Sequence, residues 1–212
     1  MNDSLPDFDP VARAYRWLEY GSLGPLLERT RECHLSHLSQ CRQALVLGDG
    51  DGRFTARLLA AAPMVQVQAV DLSGAMLALL RRRCTASRNR LQTFQQDARK
   101  FTPNGNADLV VTHFFLDCLT QQEVDVLVTS LKPHLASGAL WLVSDFRIPS
   151  GVLRWPAWFY VRALYLAFRV LTGLRITRLP NHEAVFERCG FTRVASQRSL
   201  FGMLTSEVWQ LL

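Results

Sequence analysis

A glycine-rich turn directly after a short apolar run is the feature that most constrains the fold. The run extends from Ala44 to Leu47, and the turn reads Gly-Asp-Gly-Asp-Gly over residues 48–52. A helix is expected next, from Phe54 to Ala62, with Pro63 ending it. A buried strand, a glycine turn and a helix in this order open the α/β folds that bind ligands at the carboxyl ends of parallel strands.

The chain continues as alternating strands and helices. Further strands are expected at 65–70, 91–94, 108–112 and 139–143, and further helices at 73–84 and 121–131. Before the first strand, residues 10–40 are predicted to be helical, with a break near Gly21 to Pro25. This alternation is typical of a doubly wound parallel sheet.

The C-terminal part departs from the alternation. His182 to Cys189 is predicted to be a helix that Gly190 ends. Residues 191–200 and 204–211 are predicted to be two strands joined by a short turn, a hairpin that places one edge strand antiparallel. We therefore expect an α/β fold with a seven-stranded sheet whose last strand is antiparallel.

The acids of the turn indicate the kind of ligand. Asp49 and Asp51 would repel a pyrophosphate but suit a ligand that carries positive charge and no phosphate, such as S-adenosylmethionine. Asp71 ends the second strand, where an acid accepts hydrogen bonds from ribose hydroxyls, and Asp97 follows the third strand as a partner for an adenine amino group. The alternative is that Asp49 and Asp51 serve only local hydrogen bonds of the turn.

Four segments carry a resemblance to a known family. They read LVLGDGDGRF at 45–54, AVDLSGAM at 69–76, QDA at 96–98 and DLVVTHFFL at 108–116. In this order they resemble the class I S-adenosylmethionine-dependent methyltransferases, and most closely the ubiquinone/menaquinone-biosynthesis branch. The resemblance implies a Rossmann-like fold and the cofactor S-adenosylmethionine.

The resemblance also implies which residues contact the cofactor. The set drawn from the four segments is Gly48, Asp49, Gly50, Asp51, Gly52, Asp71, Leu72, Met76, Asp97, Ala98 and His113. Val46 stands where the family often has an acid, so recognition of the ammonium group would fall to Asp49 or to backbone carbonyls. In the quinone branch a tyrosine like Tyr15 covers the methionine end of the cofactor.

Three residues are candidates for catalysis: His113, Asp145 and Tyr15. His113 and Asp145 follow the fourth and fifth strands, where ligands of such sheets bind, and Asp117 lies close behind His113. His113 is the natural base by its ordinary pKa. It could equally hydrogen-bond the cofactor alone, and Asp145 could merely cap the next segment.

No metal ion is expected. Cys33, His37 and Cys41 would share one face of a continuous helix, and zinc is the alternative that they leave open. The five cysteines contain no Cys-x-x-Cys pair, which favours reduced thiols. The acidic N-terminus without an apolar run argues against a signal peptide, so a cytoplasmic protein is expected.

An apolar segment after the fifth strand indicates the acceptor. A helix is predicted from Pro156 to Gly173, with Trp158, Arg162, Tyr165, Arg169 and Thr172 along one stripe. The arginines within 152–174 cost about 3 kcal/mol each near a bilayer centre, which excludes a transmembrane span. Such a helix is a lid or an interfacial helix with peripheral membrane contact, unless a homodimer buries it.

We therefore expect a methyltransferase that acts on carbon or oxygen of a small, hydrophobic acceptor such as a quinone precursor or a lipid. The single domain divides into a helical cap (1–40), a cofactor-binding core (41–145), an apolar insert (146–180) and a C-terminal helix and hairpin (181–212). Arg81 to Arg83, with Arg88 and Arg90, could bind phosphates, but nucleic acid is disfavoured because such runs usually face water. A cofactor-binding protein without activity and a nucleotide-dependent oxidoreductase are the alternatives.

Overall fold

The structure, a computed structural model, describes residues 23–152, 154–172 and 178–212, with the backbone alone for 165 and 167–172. The strands in these ranges are β1 Gln43–Leu47, β2 Gln66–Asp71, β3 Leu91–Gln95, β4 Ala107–His113, β5 Leu135–Phe146, β6 Phe191–Ser199 and β7 Leu204–Leu211. The α-helices are α1 Pro25–Glu32, α2 Arg53–Ala61, α3 Gly74–Arg83, α4 Gln121–Leu131, α5 Arg154–Thr172 and α6 His182–Arg188. Short 3₁₀ turns include Leu35–Leu38, Ala98–Lys100 and Leu116–Cys118.

The seven strands form one sheet in the order β3-β2-β1-β4-β5-β7-β6. The pairs from β3 through β5 are parallel, and β7 is antiparallel to both of its neighbours. The predicted seven-stranded sheet with its last strand antiparallel is therefore confirmed. The expectation that the antiparallel strand lies at the edge is wrong: β7 is interior because nearly all of its residues are buried, whereas β6 is mostly exposed and forms the edge.

The strand order changes direction between β1 and β4. The chain first adds β2 and β3 on one side of β1 and then returns to place β4 on the other side. At such a switch point the connections leave in opposite directions and open a crevice at the carboxyl ends of the strands. Because the strands are parallel, the residues after β1, β2, β4 and β5 all meet at this edge.

Two hydrophobic clusters cover the two faces of the sheet. On β1, Leu45 and Leu47 belong to one cluster and Ala44 and Val46 to the other, which follows from the two-residue period of a strand. The run is apolar at every position because both faces are buried, as parallel sheets require. This double burial fixes the position of the glycine turn that follows β1.

The ends of several helices follow from local signals. The Ser73 hydroxyl accepts a hydrogen bond from the Met76 amide at 3.0 Å, and Gly190 follows α6 with a φ of 85°. Helix α5 begins at Arg154, two residues before the predicted Pro156. A proline is tolerated there because the first amides of a helix have no intrahelical partner. None of the described helices has the length and apolarity needed to cross a bilayer.

The premise of a zinc site on one helical face is wrong. Helix α1 ends at Glu32, and the chain then forms the 3₁₀ turn Leu35–Leu38 before β1. Cys33, His37 and Cys41 therefore do not lie along one continuous α-helix. Within the described ranges, no three His, Cys, Asp or Glu side chains are arranged to hold a metal ion.

The glycine at residue 52 lets α3 pack against the start of α2. Gly52 has a φ of 79°, and a Cβ there would lie 2.8 Å from the Leu80 Cα. Gly105 has nearly the same φ, 80°, but a Cβ there would meet no atom within 4 Å. Both glycines thus adopt a left-handed backbone conformation, but only at Gly52 would a side chain also collide with a neighbouring helix.

We expect Gly105→Ala to lower the free energy of unfolding by about 1 kcal/mol, the cost of a left-handed alanine. Gly52→Ala should cost about 3 kcal/mol, because overpacking adds to the same backbone strain. Urea denaturation of both variants measures the difference. Equal losses would contradict the close packing of α3 on the turn.

Candidate active site

The glycine turn brings the backbone close to the segment that follows β4. Gly48, Gly50 and Gly52 all have positive φ, at 67°, 58° and 79°. The Gly48 amide donates to the Val70 carbonyl at 2.9 Å, and a Cβ at Gly48 would lie 2.5 Å from a ring carbon of Phe115. Gly48 is therefore required both by its backbone conformation and by the close approach of the Phe115 ring.

Protein groups hold both acids of the turn. The Asp49 carboxylate accepts hydrogen bonds from the Thr55 amide at 2.8 Å and the Thr55 hydroxyl at 2.7 Å. Burial nevertheless raises the pKa of Asp49 to about 6. Asp51 forms ion pairs with Arg53 at 3.0 Å and with Arg83 at 2.8 Å. These contacts are the local ones that the alternative interpretation expects, and contact with a cofactor stays a prediction for both acids.

The two strand-end acids lie at the same edge of the sheet. Asp71 ends β2 and accepts a hydrogen bond from the Ser73 amide at 2.8 Å. Asp97 accepts from the Arg99 amide at 3.0 Å and pairs with the Arg99 guanidinium at 2.7 Å. Burial opposes ionisation of Asp97, but the hydrogen bonds and charge of Arg99 prevail and lower its pKa. Both carboxylates are thus oriented before a ligand binds.

The other predicted cofactor contacts differ in exposure. Leu72 follows β2 and is half-buried, and Ala98 is buried in the turn after Asp97. Met76 is only 2% exposed. The predicted contact of Leu72, Met76 and Ala98 with a cofactor stays a prediction.

His113 ends β4 and is almost completely enclosed. Its side chain is 3% exposed, and its ring packs edge-on against the Phe54 ring with 4.3 Å between centroids. Within the described part of the chain neither ring nitrogen has a hydrogen-bond partner. Burial, followed by the charges of Arg31 and His34, lowers its pKa well below the ordinary value, so the imidazole is neutral.

Two buried carboxyl groups lie near the carboxyl ends of β4 and β5. Asp117 is in the 3₁₀ turn after β4, Asp145 is near the end of β5, and their exposures are 3% and 2%. Burial raises the pKa of Asp117 to about 6. Burial and then the charge of Asp117 raise the pKa of Asp145 well above the ordinary value. Both effects favour the protonated form of Asp145, which can donate a hydrogen bond.

A row of contacts between Arg31, Phe114 and Phe146 runs from the segment after β4 to a cavity. The Arg31 guanidinium lies 5.0 Å from the Phe114 ring centre, and the Phe114 ring lies 5.3 Å from the Phe146 ring. Phe146 lines a cavity of about 270 Å³. Its other apolar lining residues are Ile148, Leu179 and Pro180, and its polar ones are Arg147, Asn181, His182, Glu183 and Thr205.

A hydrogen-bonded pair at the cavity was not anticipated from the sequence. His182 Nε2 lies 3.2 Å from an oxygen of Glu207, which is 1% exposed. Trp209 donates to the same carboxylate at 3.0 Å, and Arg193 donates at 2.9 Å. Burial opposes ionisation, but His182 first and then these partners lower the pKa of Glu207. The available signal was a single acid, Glu207, among the eight residues of β7.

The insert helix α5 is half embedded. Ala157 and Val161 are buried, whereas Trp155 and Phe159 are 65% and 64% exposed. The Arg162 guanidinium lies 5.0 Å from the Trp158 ring centre, as expected for two members of the predicted stripe. The side chains of the other members, Tyr165, Arg169 and Thr172, lie outside the described part of the structure, as does Tyr15.

Most of the arginines considered for phosphate binding contact the protein. Arg81 donates to Thr93, Arg83 pairs with Asp51, and Arg90 donates to backbone carbonyls between Leu59 and Val65. Such contacts favour a structural role for these residues.

A family model ties this architecture to a known class. Residues 44–138 match the model described as a methyltransferase domain. The match covers 95 of the 212 residues and shows similarity to methyltransferase domains over this part of the chain. The matched stretch runs from β1 into β5, so it contains the glycine turn, both strand-end acids and His113.

Solved methyltransferase structures share the fold. The N-methyltransferase NodS from Bradyrhizobium japonicum WM9 has a TM-score of 0.63 at 14% identity, over 88% of this chain and 97% of that chain. Its complex with S-adenosyl-L-homocysteine gives 0.62 at 16% identity, over 87% of each chain. An O-methyltransferase family protein from Burkholderia thailandensis gives 0.70 at 20% identity over 94% of this chain, which spans 59% of that protein. No curated protein matches the sequence.

The chain therefore matches a methyltransferase domain over residues 44–138 and shares its fold with a methyltransferase that was solved in complex with S-adenosyl-L-homocysteine. The residues present fit S-adenosylmethionine, because both buried ring nitrogens of His113 lack a partner among the described residues and no phosphate has to approach the acids of the turn. The N- and O-methyltransferases with the same fold leave the acceptor atom open.

The buried acids predict a pH dependence of stability. The native protein holds protons on Asp49 and Asp117 up to about pH 6, whereas the unfolded chain releases them near the ordinary value of 3.8. The native state thus binds more protons in this window, and the free energy of unfolding should fall as the pH rises from about 4 to about 6. Asp117→Asn should reduce that slope by up to about 1 kcal/mol per pH unit.

Urea denaturation at several pH values measures this slope. Glu187→Gln, which removes an exposed carboxylate, is the matched control and should leave the slope unchanged. An unchanged slope in Asp117→Asn would contradict the raised pKa.

Proposed function

We propose that the protein transfers a methyl group to carbon or oxygen of a small, hydrophobic acceptor. The cavity beside Phe146 carries this proposal: it has about 270 Å³, an apolar wall and a few polar groups, which suits one small ring compound. It lies at the carboxyl end of β5, beside the start of β7 and the start of α6. When bound, S-adenosylmethionine supplies an electrophilic methyl group on a sulfonium centre.

The proposed cofactor contacts follow from the positions of the residues. The glycine turn would receive the methionine part against its backbone, with Asp49 or carbonyl groups near the ammonium. Asp71 would accept hydrogen bonds from the ribose hydroxyls, and Asp97 from the adenine amino group. Leu72, Met76 and Ala98 belong to the same segments and would complete the surroundings.

Much of the work of this chain would be positioning, because methyl transfer needs the acceptor atom in line with the methyl group. His113 and Asp145 remain our candidates to contact the reacting groups, together with Tyr15. The neutral imidazole of His113 can donate or accept a hydrogen bond. Because its pKa is raised by burial and by the charge of Asp117, Asp145 is better suited to donate a hydrogen bond to an acceptor oxygen than to act as a base.

Binding of S-adenosyl-L-homocysteine tests the cofactor site. We expect wild-type protein to bind it in calorimetric titration and Asp71→Asn to bind it about tenfold or more weakly, because an amide offers the two ribose hydroxyls one acceptor oxygen in place of two. Asp108→Asn is the matched control: Asp108 lies near the opposite end of β4, where it accepts two backbone hydrogen bonds.

Wild-type affinity in Asp71→Asn would count against the predicted ribose contact. Binding of NAD by the wild-type protein would favour the oxidoreductase alternative. Methyl transfer from labelled cofactor to any compound in a panel of small phenols, quinols and lipids would exclude a purely cofactor-binding role.

A second proposal concerns the source of the acceptor. We propose that α5 makes peripheral contact with an anionic membrane surface, which would suit a quinone precursor or lipid acceptor. Trp155, Phe159 and Leu166 are between 62% and 65% exposed on α5, and Arg154 and Arg162 are exposed beside them. The helix contains three arginines and no acid. Aromatic and basic side chains together are typical of interfacial helices.

Co-sedimentation with vesicles tests this contact. We expect binding to phosphatidylcholine vesicles that contain phosphatidylglycerol, and binding about tenfold or more weaker for the double variant Trp155→Ser, Phe159→Ser. The control pair Met64→Ser, Phe201→Ser removes side chains that are 62% and 80% exposed elsewhere and should bind like wild type. Failure to bind vesicles, together with a dimer that the first pair dissociates, would assign this face to a homodimer.

A further inference from the structure

We propose, on the basis of the function proposed above, that His182 is the base that takes a proton from the acceptor and that Glu207 orients it. The acceptor would then be a small phenol or enol that is methylated on oxygen. His182 lines the cavity, and Glu207 lies directly behind it on β7.

The tautomer of His182 follows from its partner. The Glu207 carboxylate is ionised and can only accept hydrogen bonds, so the hydrogen between the two side chains belongs to His182 Nε2. In a neutral imidazole the other nitrogen then carries the free lone pair. Within the described residues Nδ1 has no hydrogen-bond partner, and it is the nitrogen left to the cavity.

The charges around His182 suit a ring that gains a proton. Glu207 contacts it from β7, and the negative charge of Asp117 faces it from the turn after β4. Arg193 lies on the far side of the Glu207 carboxylate, where it holds the other oxygen at 2.9 Å. The His182 ring is thus held by a fixed carboxylate, which is the arrangement that orients a histidine base.

His113 is less suited to this task. Its ring has no carboxylate partner among the described residues, and burial beside Arg31 disfavours the imidazolium form. A histidine that cannot hold a proton can position a ligand, but it is a weak base. We therefore assign a ligand-positioning role near the cofactor turn to His113 and the role of base at the acceptor cavity to His182.

The proton step is balanced within these groups. The O–H bond of the acceptor breaks, the proton moves to Nδ1 of His182, and the electron pair stays on the acceptor oxygen. A proton-bearing oxygen in a one-ring compound matches the cavity, whose wall combines Phe146, Ile148 and Leu179 with His182 and Thr205.

Para-nitrophenol serves as the test probe because only its phenolate has the long-wavelength absorption band. The full-length protein, saturated with S-adenosyl-L-homocysteine, is titrated at a pH below the pKa of the free probe. We expect the bound probe to contain about tenfold more phenolate in wild type than in His182→Gln, a change of about one pKa unit. Glu207→Gln, which keeps the shape but removes the charge, should fall between them.

A purely structural role for His182 would not move this signal, because glutamine still donates to Glu207. His134→Gln is the matched control for loss of a histidine and should behave like wild type. Equal phenolate fractions in wild type and His182→Gln, or failure of wild type to bind the probe, would overturn the proposal. Failure to bind S-adenosyl-L-homocysteine is a separate result that concerns the proposed function, and the probe is then titrated without it.

Discussion

Parallel pairing of β1 with both β2 and β4 is the constraint on which the rest of the molecule depends. It places the glycine turn, Asp71 and His113 at one edge of the sheet, although 65 positions of sequence separate the first glycine of the turn from the histidine. No local interaction could bring these groups together. The sheet in turn depends on burial of both faces of β1, so the same apolar run that stabilises the fold positions the site.

Burial also sets the chemistry of the site. Five ionisable groups at this end of the sheet are nearly enclosed, and their contacts decide the effect of burial. The pKa of His113 is lowered, the pKa values of Asp145 and Asp117 are raised, and Glu207 and Asp97 stay ionised because bases contact them. The difference between Glu207 and Asp145 is instructive. Both are buried acids at the sheet, but Glu207 has three hydrogen-bond donors, whereas a second carboxyl group faces Asp145.

The sequence predicted the features whose causes are local. The glycine turn and the Gly190 stop were predictable because each depends on a few neighbouring residues, and the alternation of strands and helices implied the sheet. The His182–Glu207 pair was not predictable, since 25 positions separate its members and only the antiparallel hairpin brings them together. The inner position of β7 was missed because hairpin order in a sheet depends on which strand buries both faces.

The hydrogen bonds of the turn acids bear on how a ligand is received. Asp49 fastens the turn to the start of α2, and Asp51 fastens it to α3 through Arg83. A loop held from outside in this way has its conformational entropy removed during folding, so a ligand meets a surface that is already ordered. Binding and release of the cofactor would then leave the conformation of the turn unchanged. The residence time of the cofactor would depend on the segments that cover the crevice rather than on the turn itself.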